Sequence, residues 1–127
     1  MDSDSVKEKL KQLDIEDFIW LVYIGIIFFS WYSNSLERKY FFTNNLFCKE
    51  KYRKIMILIF SILLIVYMYF LKSSVDDIRK LNSFDSPNKR KLVYMSFVAS
   101  LLIAFSGFIF LYIAFVDENL DVELAFN

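Results

Sequence analysis

Two neighbouring carboxylates, Glu16 and Asp17, stand immediately before a charge-free apolar run that begins at Phe18. Paired acids at the lip of a buried path attract a cation or share a proton, so these two are the candidate pore-mouth acids. The bland reading, a charged boundary to an apolar segment, carries more weight, because no ionisable residue follows inside the run. Cys48 lies beside Lys49 and Lys51. Neighbouring cations favour a thiolate, and such a cysteine is also open to lipidation. One cysteine in a connecting segment is nevertheless more often incidental. A third constellation is a stripe of small residues, Ser96, Ser100, Ala104, Gly107 and Ala114. At 100° per residue they gather on one side of a helix, where small side chains let a second backbone approach closely. This is the candidate helix-packing face, towards another helix of this chain or of a second copy. Its sharper alternative, a pore wall of serines, is too sparsely polar to be preferred.

Counting removes most other chemistry. The chain of 127 residues has no histidine and one cysteine, so metal sites rich in Cys or His are excluded. Its two glycines, Gly25 and Gly107, both lie in apolar runs, which leaves no glycine-rich loop to cradle a phosphate. The reading is therefore not an enzyme, with no cofactor, no metal and no small-molecule substrate. Basic residues are interleaved with Glu37, Glu50, Asp76, Asp77 and Asp85, so no polybasic patch points to nucleic acid.

The elements that must position these residues are set by three charge-free runs, Phe18–Leu36, Ile55–Leu71 and Leu92–Val116. As helices they reach roughly 28, 26 and 38 Å, against a bilayer hydrocarbon core of roughly 30 Å. Hydrophobic residues make up 57% and aromatics 20% of the chain, yet none of its 30 charged residues falls inside the runs. That segregation is what insertion demands, since a charge at mid-membrane costs about 2.5–3.5 kcal/mol on insertion scales. The expected fold is an all-α integral membrane bundle of three transmembrane helices, with an N-terminal amphipathic helix over 1–17 and an acidic tail over 117–127. No cleavage site follows the first run, which reads as retained.

Local signals refine this. Ser5 and Glu8 have capping-box spacing, and Val6, Leu10 and Leu13 form a narrow apolar stripe, read as a solvated extension of the first span. Trp20 and Trp31 share one helix face only about 16 Å apart. They cannot mark opposite headgroup layers, so at least one is expected inside the bundle, or the span is tilted or partly interfacial. Residues 37–54 are expected to form the first loop, with Tyr40–Phe42 prolonging the helix and Thr43–Asn45 as the turn. Ser30 and Ser61 are expected to bond back to their own helices. The second helix continues past the apolar run through Val75, Ile78 and Leu81, breaks at Asn82–Asp85, and the third opens on Ser86 and Pro87. Tyr94 and Tyr112, about 27 Å apart, match the two faces of a bilayer.

With three spans, the N-terminal segment and second loop carry nine basic residues between them, against six for the first loop and tail. The positive-inside bias then sets the N-terminus inside and the C-terminus outside. The stretches Leu13-Asp-Ile-Glu-Asp-Phe-Ile-Trp20, Tyr32-Ser-Asn-Ser-Leu-Glu-Arg-Lys-Tyr40 and Asn119-Leu-Asp-Val-Glu-Leu-Ala-Phe-Asn127 resemble uncharacterised small membrane proteins of clostridia-like, low-GC Gram-positive bacteria. The resemblance implies the bacterial cytoplasmic membrane as location and no activity. The functional expectation is a small polytopic protein acting through helix–helix association, as an accessory or regulatory subunit or a homo-oligomer. Its partners are the lipid bilayer and another membrane protein or copy, and Asp117, Glu118, Asp121 and Glu123 form a candidate docking tail. The alternative is an oligomeric pore, including a holin-like lesion former.

Overall fold

The computed structural model describes residues 3–118 and 120, and among these the only regular elements are three helices, α1 (Ser3–Thr43), α2 (Leu46–Arg79) and α3 (Pro87–Val116). Their 41, 34 and 30 residues correspond to about 60, 50 and 45 Å.

The first connection is tighter than the sequence implies. The expected loop over 37–54 is reduced to Asn44 and Asn45, because charges end an apolar run without ending a helix. Thr43 Oγ1 donates to the Lys39 carbonyl at 2.7 Å. Asn44 takes φ 53°, a left-handed conformation that asparagine tolerates, and its amide closes on the Tyr40 carbonyl at 2.7 Å. Asn45 caps the next helix, its side chain accepting from Phe47 N at 3.0 Å and Cys48 N at 3.4 Å. Cys48 thereby moves from a loop into the first turn of α2, where it is buried.

The second connection follows the local signals. Ser86 Oγ accepts from Lys89 N at 3.1 Å, and Pro87 stands in the first turn, where its missing N–H costs nothing. Asp85 accepts from the Asn82 amide at 2.9 Å and pairs with Lys89 at 3.0 Å. The Asn82 amide, with help from Lys89, holds the Asp85 carboxyl below its ordinary pKa.

The chain folds as an open arrangement with α2 in the middle. α1 and α3 each pack along α2, while their backbones do not approach each other. Buried α2 residues Tyr52, Met56, Ile59, Leu63 and Val66 repeat at spacings of three and four, the seam of near-parallel helix packing. Met56, Ile59 and Phe60 are almost wholly enclosed. α1 meets α2 through Ile19, Ile26, Ser33 and Leu36. Ser33 Oγ donates to the Ser30 carbonyl at 2.8 Å and touches Met56 Sδ at 3.6 Å. The expected back-bond from Ser30 is thus made by Ser33, and the buried Ser30 Oγ has no partner. Nearer the N-terminus of α1, Gln12 Nε2 donates to Ser73 Oγ at 3.3 Å.

α3 meets α2 through Ala104, Gly107 and Ala114, its three buried residues. Phe110 stacks on Phe60 with centroids 5.4 Å apart. A Cβ at Gly107 would lie 3.0 Å from Tyr67 Cδ2, which shows how closely α3 approaches α2 there.

Two helices, α2 and α3, are long and apolar enough to cross a membrane, with only 28% and 17% of their apolar stretches buried. The third crossing expected over 18–36 is not among them. Its second half is diluted by Ser30, Trp31, Tyr32, Ser33, Asn34 and Ser35, and α1 runs unbroken from its charged N-terminal turns through to Thr43. Both tryptophans of α1 point outward, Trp20 at 64% and Trp31 at 73% exposure, so neither is packed inside the bundle.

Candidate functional site

Because α1 and α3 flank α2 without meeting, a cleft remains between them on one side of α2. Tyr67 lies at its centre and lines three adjoining recesses. The first, about 390 Å³, is the most polar of the three, with Gln12, Ser73, Ser74, Asp77, Ser96 and Ser100 on its walls beside Phe70 and Ile103. The second, about 260 Å³, lies between α2 and α3 and is lined by Phe60, Leu102, Gly107 and Phe110 among others. The third, about 420 Å³, lies between α1 and α2 and is almost wholly apolar, with Trp20, Ile26, Ile27 and Leu63. Tyr23 borders both the polar recess and the α1–α2 groove. Ile103 borders both the polar recess and the α2–α3 groove.

Position along the helices explains this division. The polar recess is built where the apolar run of α2 has ended and Ser73, Ser74 and Asp77 begin. The two grooves are built from the runs themselves. Within the polar recess Ser74 Oγ is committed to the Leu71 carbonyl at 2.7 Å, and Ser73 to Gln12. Asp77 is the one charged residue on its walls.

A wider recess of about 580 Å³ opens between the N-terminal turns of α1 and the C-terminal turns of α2, with Lys9, Lys11, Lys72, Lys80 and Lys89 against Glu8, Asp76 and Asp77, and it shares Gln12, Ser73 and Asp77 with the polar recess. Glu8 and Lys80 pair there at 3.7 Å with both side chains largely exposed, an arrangement of little energetic weight.

The residues singled out from sequence distribute unevenly. Ala104, Gly107 and Ala114 are enclosed against α2 of the same chain, whereas Ser96 and Ser100 stand on the wall of the polar recess. Glu16 is half-buried and Asp17 exposed, and neither is among the residues lining the cleft. Asp117 is half-buried at the end of α3, its amide bonded to the Ile113 carbonyl at 2.9 Å, and Glu118 is exposed. Asp121 and Glu123 lie outside the described residues. Sequence reasoning did not single out Tyr67, Gln12, Ser73, Ser74 or Asp77. The last four sit outside the charge-free runs, and Tyr67 is one of many aromatics within them. Comparison with protein-family models, with curated proteins and with solved structures returns no match for this chain.

Proposed function

We propose that this chain is a non-catalytic membrane protein with three crossings, acting through helix–helix association as an accessory or regulatory subunit or as a homo-oligomer. The observation that carries the reading is the outward apolar surface. Phe18, Leu21, Phe28 and Trp31 on α1, and Leu102, Phe105, Phe108 and Phe115 on α3, are half to three-quarters exposed. A surface of that kind is stable only against lipid or another protein.

Support for the third crossing comes from the pairing of α1 with α2. Ser33 stands opposite Met56, and Gln12 opposite Ser73. The run 18–36 is therefore level with 55–71, and if α2 spans the bilayer α1 spans the same slab. With an odd number of crossings the two ends of the chain lie on opposite faces, and the basic residues favour the N-terminus inside a bacterial cytoplasmic membrane.

Ala104, Gly107 and Ala114 of the small-residue face are spent on α2, so partners are expected on the outer aromatic faces instead. The pore reading has less support, because the polar walls of the cleft give way to apolar ones beyond Ser100. The test is single-cysteine labelling of a Cys48→Ser background in intact cells, with reporters at Ser5, Asn44 and Asn82. Three crossings put Ser5 and Asn82 on one side and Asn44 on the other. Labelling of Ser5 and Asn44 from the same side rejects the first crossing. Native mass spectrometry in nanodiscs then reads the oligomer, and a strictly monomeric chain that captures no membrane partner rejects the association.

A further inference from the structure

The three recesses around Tyr67 have the shape of a two-tailed amphiphile. We infer that this cleft binds one bilayer lipid, a two-chain lipid with an amine-bearing headgroup and no net negative charge, and that Tyr67 stands between its two acyl chains. The inference rests on the membrane reading above, and on the geometry and chemistry of the recesses.

The grooves are two, one on each side of Tyr67, and both are lined by apolar side chains at the level of the apolar runs. Each joins the same polar recess, through Ile103 on one side and Tyr23 on the other. The polar recess lies where α2 leaves its apolar run, beside Lys72, which is the headgroup level of a bilayer. Its walls offer hydroxyls and amides from Gln12, Ser73, Ser96 and Ser100 and one carboxylate, Asp77, with no lysine or arginine. Asp77 also borders the wider recess that holds Lys9, Lys11 and Lys72, so the ammonium of a headgroup can meet Asp77 while its phosphate meets a lysine, and a zwitterionic headgroup satisfies both. The recess volumes, about 390, 260 and 420 Å³, fall in or near the usual range of small-ligand sites, roughly 300–1,000 Å³.

A second helix is a poorer occupant, because a cylinder roughly 10 Å across does not divide around a central side chain.

The experiment uses the full chain extracted in mild detergent and equilibrated with an equimolar mixture of dioleoyl phosphatidylethanolamine, dioleoyl phosphatidylglycerol and mono-oleoyl lysophosphatidylethanolamine. Native mass spectrometry counts the lipid retained. One phosphatidylethanolamine per chain is expected, favoured over phosphatidylglycerol by about fivefold. Ile27→Trp and Leu102→Trp, each at an outward position on one groove, should lower two-chain retention by about tenfold and spare the one-chain lipid. Asp77→Asn should abolish the preference over phosphatidylglycerol. Retention in proportion to the mixture, or indifference to both tryptophan plugs, overturns the inference. Flotation with alkali-washed vesicles separates the two failures. A chain that floats but shows no lipid preference loses only this inference, whereas one that does not float loses the membrane reading and this site with it.

Discussion

Arg53 on α2 donates from Nη2 to the main-chain carbonyl of Phe115, 62 residues further along, at 2.8 Å. The guanidinium thus satisfies one of the orphan carbonyls at the C-terminus of α3 and lies against the negative end of its dipole. In sequence Arg53 reads as one more cation flanking a span. In the structure it ties the end of α3 to the start of α2, opposite the turn that joins them covalently. Arg53→Met keeps the apolar stem and removes the donor. It should destabilise the helical domain by about 1–2 kcal/mol, read by titration with a denaturing detergent, and speed amide exchange in the last turn of α3. Unchanged exchange there would show that the bond carries no weight.

The two glycines should behave oppositely. A side chain at Gly107 meets Tyr67 and Leu64, so Gly107→Leu should cost about 1–3 kcal/mol and splay α3 from α2. Nothing lies within 4 Å of a Cβ at Gly25, and Gly25→Ala should be neutral or stabilise by up to about 1 kcal/mol through helix propensity. Parallel unfolding titrations of the two variants check this. A destabilising Gly25→Ala would mean that another surface, such as an oligomer interface, comes close at that point.

Cys48 is 3% exposed, enclosed at the α1–α2 turn. A thiol in an open loop would react with a maleimide within the ordinary time of a free cysteine. This one should react at least about tenfold more slowly in the folded protein and at the normal rate after denaturation, since reactivity follows access. Equal rates in both states would return Cys48 to a loop.

Acid should loosen the α2–α3 turn late. The Asn82 amide and then Lys89 hold the Asp85 carboxyl below its usual pKa. A carboxyl whose folded value is depressed contributes stability above its unfolded pKa and loses it as the pH falls through the folded value. Protection of the Asn82 amide and of the first turn of α3 should therefore persist at neutral pH and fall only below the ordinary carboxylate range. Asp85→Asn should remove that acid step. An identical step in the variant would assign it to another group.

Much of the secondary structure was legible in the residues. Asn82, Asp85, Ser86 and Pro87 mark the second turn, because caps and breakers act over a few residues of chain. Thr43, Asn44 and Asn45 marked the first turn correctly, but the charges around them suggested a long loop. Charge reports where an apolar slab ends and says nothing of where a helix does. The same confusion placed Cys48 outside the helical core.

The small-residue spacing on α3 was legible as a packing face, since Ala104, Gly107 and Ala114 share a side whatever the surroundings. That its partner is α2 of the same chain, with Tyr67 against Gly107, is a tertiary fact. So is the cleft. The apolar runs are apolar nearly all round, and a helix with no polar side carries little record of which face its neighbour takes.

By itself, then, the sequence determined an all-helical chain, its turns and the exclusion of charge from three runs, because each depends on neighbours in the chain or on the transfer cost of single residues. Only the tertiary structure decided that α2 lies between α1 and α3, that Arg53 closes on Phe115, and that Gln12, Asp77 and Ser100 meet around Tyr67. Those relationships depend on side-chain shape matched across helices whose hydrophobic patterns barely distinguish one face from another.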